Sequence, residues 1–252
     1  MFGIITGSGF YDLKLENQQE KKINTEYGDA VVTTGLIAGK ETAFIARHGK
    51  NHKYLPNMIN YKANIKALQT LGVKSIIGTT VCGVTNSDLE LGRLLVFSDL
   101  FFPDNRLPDG EICSFFNQPD DPEKGHLIFG CPFDQNVTQE LISASGLPEL
   151  TYAHVNGPRF NTKAEISFIK NYADVVSQTC GPEVILSNEL EISYILLGVG
   201  VDYANGVKST PTPVEELKKN LEASKSIFTK AIETLIQKED SIGFGGFIYR
   251  FN

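Results

Sequence analysis

Short apolar, β-branched runs alternate with amphipathic stretches along the chain, the rhythm of an α/β fold. Phe2–Ile5, Ala43–Ala46, Ser75–Thr80, Leu94–Ser98, Asp174–Ser177 and Tyr194–Val201 read as buried strands. Met58–Leu71 places Met58, Tyr61, Ile65 and Leu68 on one helical face, and Gly72 follows as a stop. Val137–Ala144, closed by Gly146, is a second helix, and Ala164–Tyr172 and Pro182–Leu190 are shorter ones. The last helix has the clearest start: Thr212 as N-cap, Pro213 in the first turn and Glu215 completing a capping box. Val214, Leu217, Leu221, Phe228, Ala231, Ile232 and Leu235 continue its apolar stripe. The segment 103–125, rich in Pro, Asp and Gly, has the length of a functional flap or an interface. With no repeat or linker, residues 1–252 read as one domain.

Composition narrows the picture. A chain of 252 residues, 41% hydrophobic and 21% charged, buries a substantial core without disulfides or structural metal. A net charge of −7 leaves no general basic surface for a nucleic acid. No run approaches the roughly 18 apolar residues of a membrane span. The first residues are a strand entering a Gly turn rather than a signal peptide, so a cytoplasmic protein is expected. Cys82, Cys113, Cys131 and Cys180 contain no CxxC pair and read as buried thiols in a reducing compartment, not as a zinc site.

Four polar clusters fall at or just after strand C-termini, where ligands collect in sheets of this class. Thr6-Gly7-Ser8-Gly9 is either an ordinary turn or an anion cradle of backbone N–H groups with the Ser8 hydroxyl. Arg47-His48-Gly49-Lys50-Asn51-His52 is either a solvated basic loop or a pair of donors, Arg47 and His48, suited to a tetrahedral oxyanion. Gly78-Thr79-Thr80-Val81-Cys82-Gly83 either satisfies a sheet or aims Thr80 and a neighbouring N–H at the same anion. The fourth runs from Asn156 through Phe160 to Glu165, then Ser177-Gln178-Thr179 and Val201-Asp202-Tyr203. Asp202, after an apolar strand, either caps a turn or acts in a pocket.

Taken together, the strand with GSG, ARHGKNH, LPNMINYKANIKAL, TTVCG, GPRFNTKAE, the later PE and the strand ending in VDY resemble the trimeric purine nucleoside phosphorylase family, closest to its 5′-methylthioadenosine branch. The resemblance spans nearly the whole chain and implies a central mixed β-sheet, partly barrel-like, flanked by helices. It implies a phosphate site at Ser8, Arg47, His48, Thr80, the Val81 backbone and Thr179. It puts Gln178, where the family commonly has Met, beside the ribose, Phe160 against the base with Asn161 next to it, and Asp202 as the acid facing purine N7. His126, six residues before Pro132, would reach the 5′ substituent in a neighbouring subunit of a homotrimer. Inorganic phosphate would be co-substrate, with no metal or organic cofactor.

The implied reaction is phosphorolysis of 5′-methylthioadenosine, with a 6-oxopurine nucleoside or 5′-methylthioinosine as the alternative. Asn161 and Asp202 suit a 6-aminopurine; the adenine branch carries a second Asp where this chain has Ala204, and Asn156, Ser177 and Val201 also depart from it. A hydrolytic nucleosidase and a non-catalytic nucleoside binder are the rivals. The first has no need of Arg47 and His48.

Overall fold

The computed structural model describes residues 1–146, 149–237 and 243–251. Its main sheet has nine strands in the order β10-β6-β8-β9-β5-β1-β4-β3-β2. In chain order these are β1 (Phe2–Thr6), β2 (Glu16–Thr25), β3 (Gly28–Ile37), β4 (Lys40–Ala46), β5 (Ser75–Val84) and β6 (Leu94–Phe101), followed, past the short strand β7 (His126–Ile128), by β8 (Leu150–His154), β9 (Val175–Ser177) and β10 (Ser193–Tyr203). A further β5–β10 pairing closes part of the sheet into a barrel, from which β1, β4, β3 and β2 extend. The expected α/β architecture with a mixed, partly closed sheet is what the chain adopts.

The sheet is mixed because β1, β4, β5 and β10 run parallel to one another while β3, β9 and β6 pair antiparallel to β4, β5 and β10 respectively. Parallel strands are covered on both faces and so read as unbroken apolar runs. In β1 every residue is buried. One apolar core, containing Ile65, Leu68, Tyr152, Val184 and Tyr194, lies on the side of helices α1 (Tyr61–Thr70) and α4 (Cys180–Glu189). The other packs Phe228, Ile232 and Leu235 of α5 (Val214–Gln237) and Val137 of α2 (Gln135–Ser145) against Ile4, Ile77 and Ile195. Helix α3 (Lys163–Ile169) buries Ile166 and Ile169 in a smaller cluster.

Several boundaries differ from the sequence expectation. The helix expected from Met58 begins at Tyr61, because the Asn60 side chain caps it by accepting from Ala63 N–H at 3.0 Å, and Pro56–Met58 forms a separate turn. Thr212 does not start α5 in the expected way: its hydroxyl accepts from Tyr203 N–H at 3.1 Å, tying the helix entry to the end of β10. Val214, expected on the apolar stripe, is exposed. The segment 103–125 is no free flap. Leu107, Cys113 and Phe115 are buried in the core, and Glu189 accepts from Ser114 Oγ at 2.7 Å and Phe115 N–H at 2.6 Å. The tail forms β11 (Phe247–Tyr249), pairing antiparallel with β7. All four cysteines are free thiols, three of them buried. Among the described residues, no helix is long and apolar enough to cross a membrane.

Candidate active site

The parallel pairing of β1, β4, β5 and β10 brings their C-terminal ends to one edge of the sheet. There a cavity of about 400 Å³ opens, lined by Ser8, Arg47, His48, Thr80, Val81, Thr179, Phe160, Asn161, Gln178 and Asp202. Every candidate from the sequence therefore lines one cavity except His126. That residue is exposed on β7, its ring edge-on to Phe251 at 5.4 Å, outside the cavity of its own chain.

Arg47 is buried, and its geometry corrects the expected role of its fork. Nε donates to Glu183 Oε1 and Nη2 to Oε2, both at 2.7 Å, while Nη1 donates to the Thr79 carbonyl at 2.6 Å. The two-point face is thus engaged by Glu183, and the Nη1 edge is what approaches the glycine turn. A Cβ placed on Gly7 would lie 2.6 Å from Nη1. Glu183 had no role assigned from sequence. Its signal was a lone carboxylate in the apolar run Pro-Glu-Val-Ile-Leu, since a buried charge must find a partner.

His48 is also corrected. Asn51 and His52 both take left-handed backbone conformations (φ 56°), and the chain folds back until His52 stacks on His48 with centroids 4.1 Å apart. His48 Nδ1 lies 2.8 Å from the Tyr54 carbonyl oxygen, which can only accept, so the proton sits on Nδ1. Burial, followed by the neighbouring Arg47 charge, pushes the imidazole down to about 3. At neutral pH Nε2 is therefore an acceptor, not the donor expected.

Thr80 Oγ1 stands 3.0 Å from Ser177 Oγ, joining β5 to β9. Thr179 precedes the first turn of α4, its hydroxyl 3.6 Å from Cys180 Sγ. Asp202 ends the buried run of β10, and burial alone lifts its carboxyl from 3.8 to about 6. A carboxyl held at such a value can carry a proton near neutrality.

The remaining wall is the segment between β8 and α3. Phe160 is 85% exposed. Asn161 Nδ2 donates to Glu165 Oε2 at 3.3 Å, and Arg159 grips both oxygens of Glu165 at 2.9 and 2.7 Å, holding that carboxyl down to about 2. Gln178 does not turn its amide donor towards a ribose: Nε2 donates to the Arg159 carbonyl at 2.8 Å. Among the described residues, no group of three or more His, Cys, Asp or Glu side chains is placed to hold a metal ion.

The model of the phosphorylase superfamily matches residues 1–237. The chain belongs to this superfamily. Within it, the chain is 36% identical over 256 residues to the 6-oxopurine nucleoside phosphorylase of Pyrococcus furiosus, covering 95% of this chain and 94% of the relative. It is 35% identical over 252 residues to the S-methyl-5′-thioadenosine phosphorylase of Hyperthermus butylicus, covering 94% and 89%. Among solved structures, methylthioadenosine phosphorylase from Schistosoma mansoni in complex with adenine superposes with a TM-score of 0.79 at 28% identity, covering 95% of this chain and 92% of that one. These phosphorylases differ in the purine they are named for, which leaves base choice to the site's own geometry.

Proposed function

We propose that this superfamily member cleaves the N-glycosidic bond of a purine nucleoside with inorganic phosphate, converting 5′-methylthioadenosine and phosphate to adenine and 5-methylthioribose-1-phosphate. The observation that carries the reading is the coexistence, in one cavity, of a carboxyl raised to about 6 at Asp202 and an oxyanion corner at Ser8, Arg47, His48, Thr80 and Thr179. Phosphorolysis passes through a cation-like ribose while electrons flow into the leaving purine. Protonated Asp202 donates to purine N7, help typically worth about 10²–10⁴-fold, or roughly 3–5 kcal/mol. Phosphate at the oxyanion corner supplies the nucleophile and faces the developing cation with negative charge. His48 Nε2 accepts from the P–OH of hydrogen phosphate, which suits a neutral imidazole protonated on Nδ1. Phosphate is co-substrate, and no metal or organic cofactor takes part.

A cytoplasmic homotrimer acting in purine salvage fits this reading, with His126 reaching the 5′ group held by a neighbouring copy. One observation favours a 6-oxopurine nucleoside or 5′-methylthioinosine as the second reading. Asn161 turns Nδ2 to Glu165, leaving its carbonyl oxygen as the acceptor for a purine N1–H. The test is a panel of methylthioadenosine, methylthioinosine, adenosine and inosine, each with and without phosphate. Phosphate-dependent release of adenine from methylthioadenosine is expected; release at full rate without phosphate removes the phosphorylase reading, and preference for the inosines selects the second one.

A further inference from the structure

The ring given to base stacking is held by almost nothing of its own. Phe160 is 85% exposed, and it sits in a segment with no regular secondary structure between β8 and α3. An exposed ring on an irregular segment samples many orientations unless the backbone beneath it is fixed. Here three consecutive carbonyls are held by side chains. The Arg159 carbonyl accepts from Gln178 Nε2 at 2.8 Å, the Phe160 carbonyl from Arg159 Nη1 at 3.3 Å, and the Asn161 carbonyl from Asn205 Nδ2 at 2.7 Å. The outer two donors come from different parts of the fold: Gln178 from the β9–α4 junction, Asn205 from just beyond β10. The Gln178 amide also lies close against Gly157, where a Cβ would fall 2.2 Å from Oε1, so only a glycine leaves it room.

We propose that Gln178 and Asn205 are positioning residues that aim the Phe160 ring by clamping the backbone carbonyls on either side of it. The proposal rests on the reading of Phe160 as the ring that stacks on the purine. The clamp preorganises the segment, so that nucleoside binding does not have to order it. It acts chiefly on the base, since Ser8, Arg47, His48 and Thr80 of the oxyanion corner hang from β1, β4 and β5; Thr179, next to Gln178, is held separately at the start of α4, and Asn205 lies clear of it in the chain.

Gln178→Leu removes the donor without installing the Met that the family commonly carries beside the ribose; Asn205→Ala removes the other. Each is expected to raise the nucleoside KM about five- to tenfold, the scale of one hydrogen bond, with kcat and the phosphate KM within about twofold. Each is then combined with Phe160→Ala. If the clamp works through the ring, the doubles match Phe160→Ala alone; effects that multiply instead overturn the clamp and leave stacking intact. Single variants with unchanged nucleoside KM, or with KM rising while kcat and thermal stability fall together, also overturn it. A Phe160→Ala enzyme with wild-type KM removes the stacking reading itself, and the clamp with it.

Discussion

Arg47 and Glu183 meet inside the protein as a two-point ion pair, Nε and Nη2 each 2.7 Å from a carboxylate oxygen, with both side chains essentially inaccessible. Tyr194 donates a third hydrogen bond to the same carboxylate at 2.5 Å. Glu183 sits in the first turn of α4 and Arg47 one residue beyond β4, so the pair fixes the oxyanion corner across the fold. Breaking a buried pair from one side leaves an uncompensated charge, which costs about 3–5 kcal/mol. Glu183→Ala is therefore expected to lower unfolding free energy by about that amount and to raise the phosphate KM as Arg47 loses its anchor. Urea unfolding reads the first effect; a loss under about 0.5 kcal/mol, the scale of a surface substitution, would show that the pair contributes no such constraint.

Gly7 gives a sharper test of where Arg47 faces. A methyl on Gly7 would lie 2.6 Å from Nη1, and Nη1 cannot withdraw because it already donates to Thr79. Gly7→Ala is expected to raise the phosphate KM about tenfold or more, each tenfold being about 1.4 kcal/mol, while the nucleoside KM moves little. Equal losses for both substrates would place the disturbance elsewhere.

Which of these features the sequence discloses follows from what enforces them. Strands such as Phe2–Thr6 and Ser193–Tyr203 are covered on both faces and show as continuous apolar runs. The hairpin of β2 and β3 does not: Glu16–Thr25 reads ENQQEKKINT, exposed throughout most of its length, and it is a strand only because β3 pairs with it. The site residues were legible as types at strand ends, but not their hydrogen-bond partners. The His48 tautomer is set by a carbonyl six residues away, and the Arg47 fork by a carboxylate 136 residues away. Asn205 carried no motif at all; its contact with the Asn161 carbonyl and its place in the cavity wall mark it.

Asp202 ties pH to both stability and turnover. Its folded value of about 6 lies above the 3.8 of an unburied carboxyl, so the folded protein takes up this proton first. Its contribution to stability therefore falls as pH rises from about 4 to about 6 and stays low above that. Asp202→Asn removes the titration and is expected to gain on the wild type across that window, by about 2 kcal/mol at pH 7 once partial exposure is discounted. Thermal unfolding of both proteins at either end of the window checks the sign. In the same pair, kcat/KM of the wild type should decline as pH passes about 6, because the acid form is the working form, and Asp202→Asn should lose turnover at every pH. A variant less stable than wild type at neutral pH would sink the claim that the buried carboxylate is costly.

His154 sets a second pH dependence, of opposite sense and away from the chemistry. It ends β8, its ring edge-on to Phe102 at 4.4 Å, and the first turn of α4 presses on it: a Cβ on Gly181 would lie 2.6 Å from the ring. Among the described residues neither ring nitrogen has a hydrogen-bond partner, and burial pushes the imidazole from 6.5 down to about 3. The Asn156 side chain opposes this only from outside hydrogen-bond geometry. As pH falls below 6.5 the unfolded chain takes up the proton and the folded chain does not, so stability present at neutral pH is lost progressively towards pH 3. One such group contributes a slope of about 1.4 kcal/mol per pH unit. His154→Leu preserves an apolar filling and removes the titration, so its stability curve should be shallower than the wild type's by about that slope between pH 6 and pH 4, with His48 and the depressed carboxylate of Glu165 still contributing to the acid limb. Parallel curves for the two proteins would mean that His154 takes up its proton in the folded state as readily as in the unfolded chain, and that burial does not hold the ring neutral.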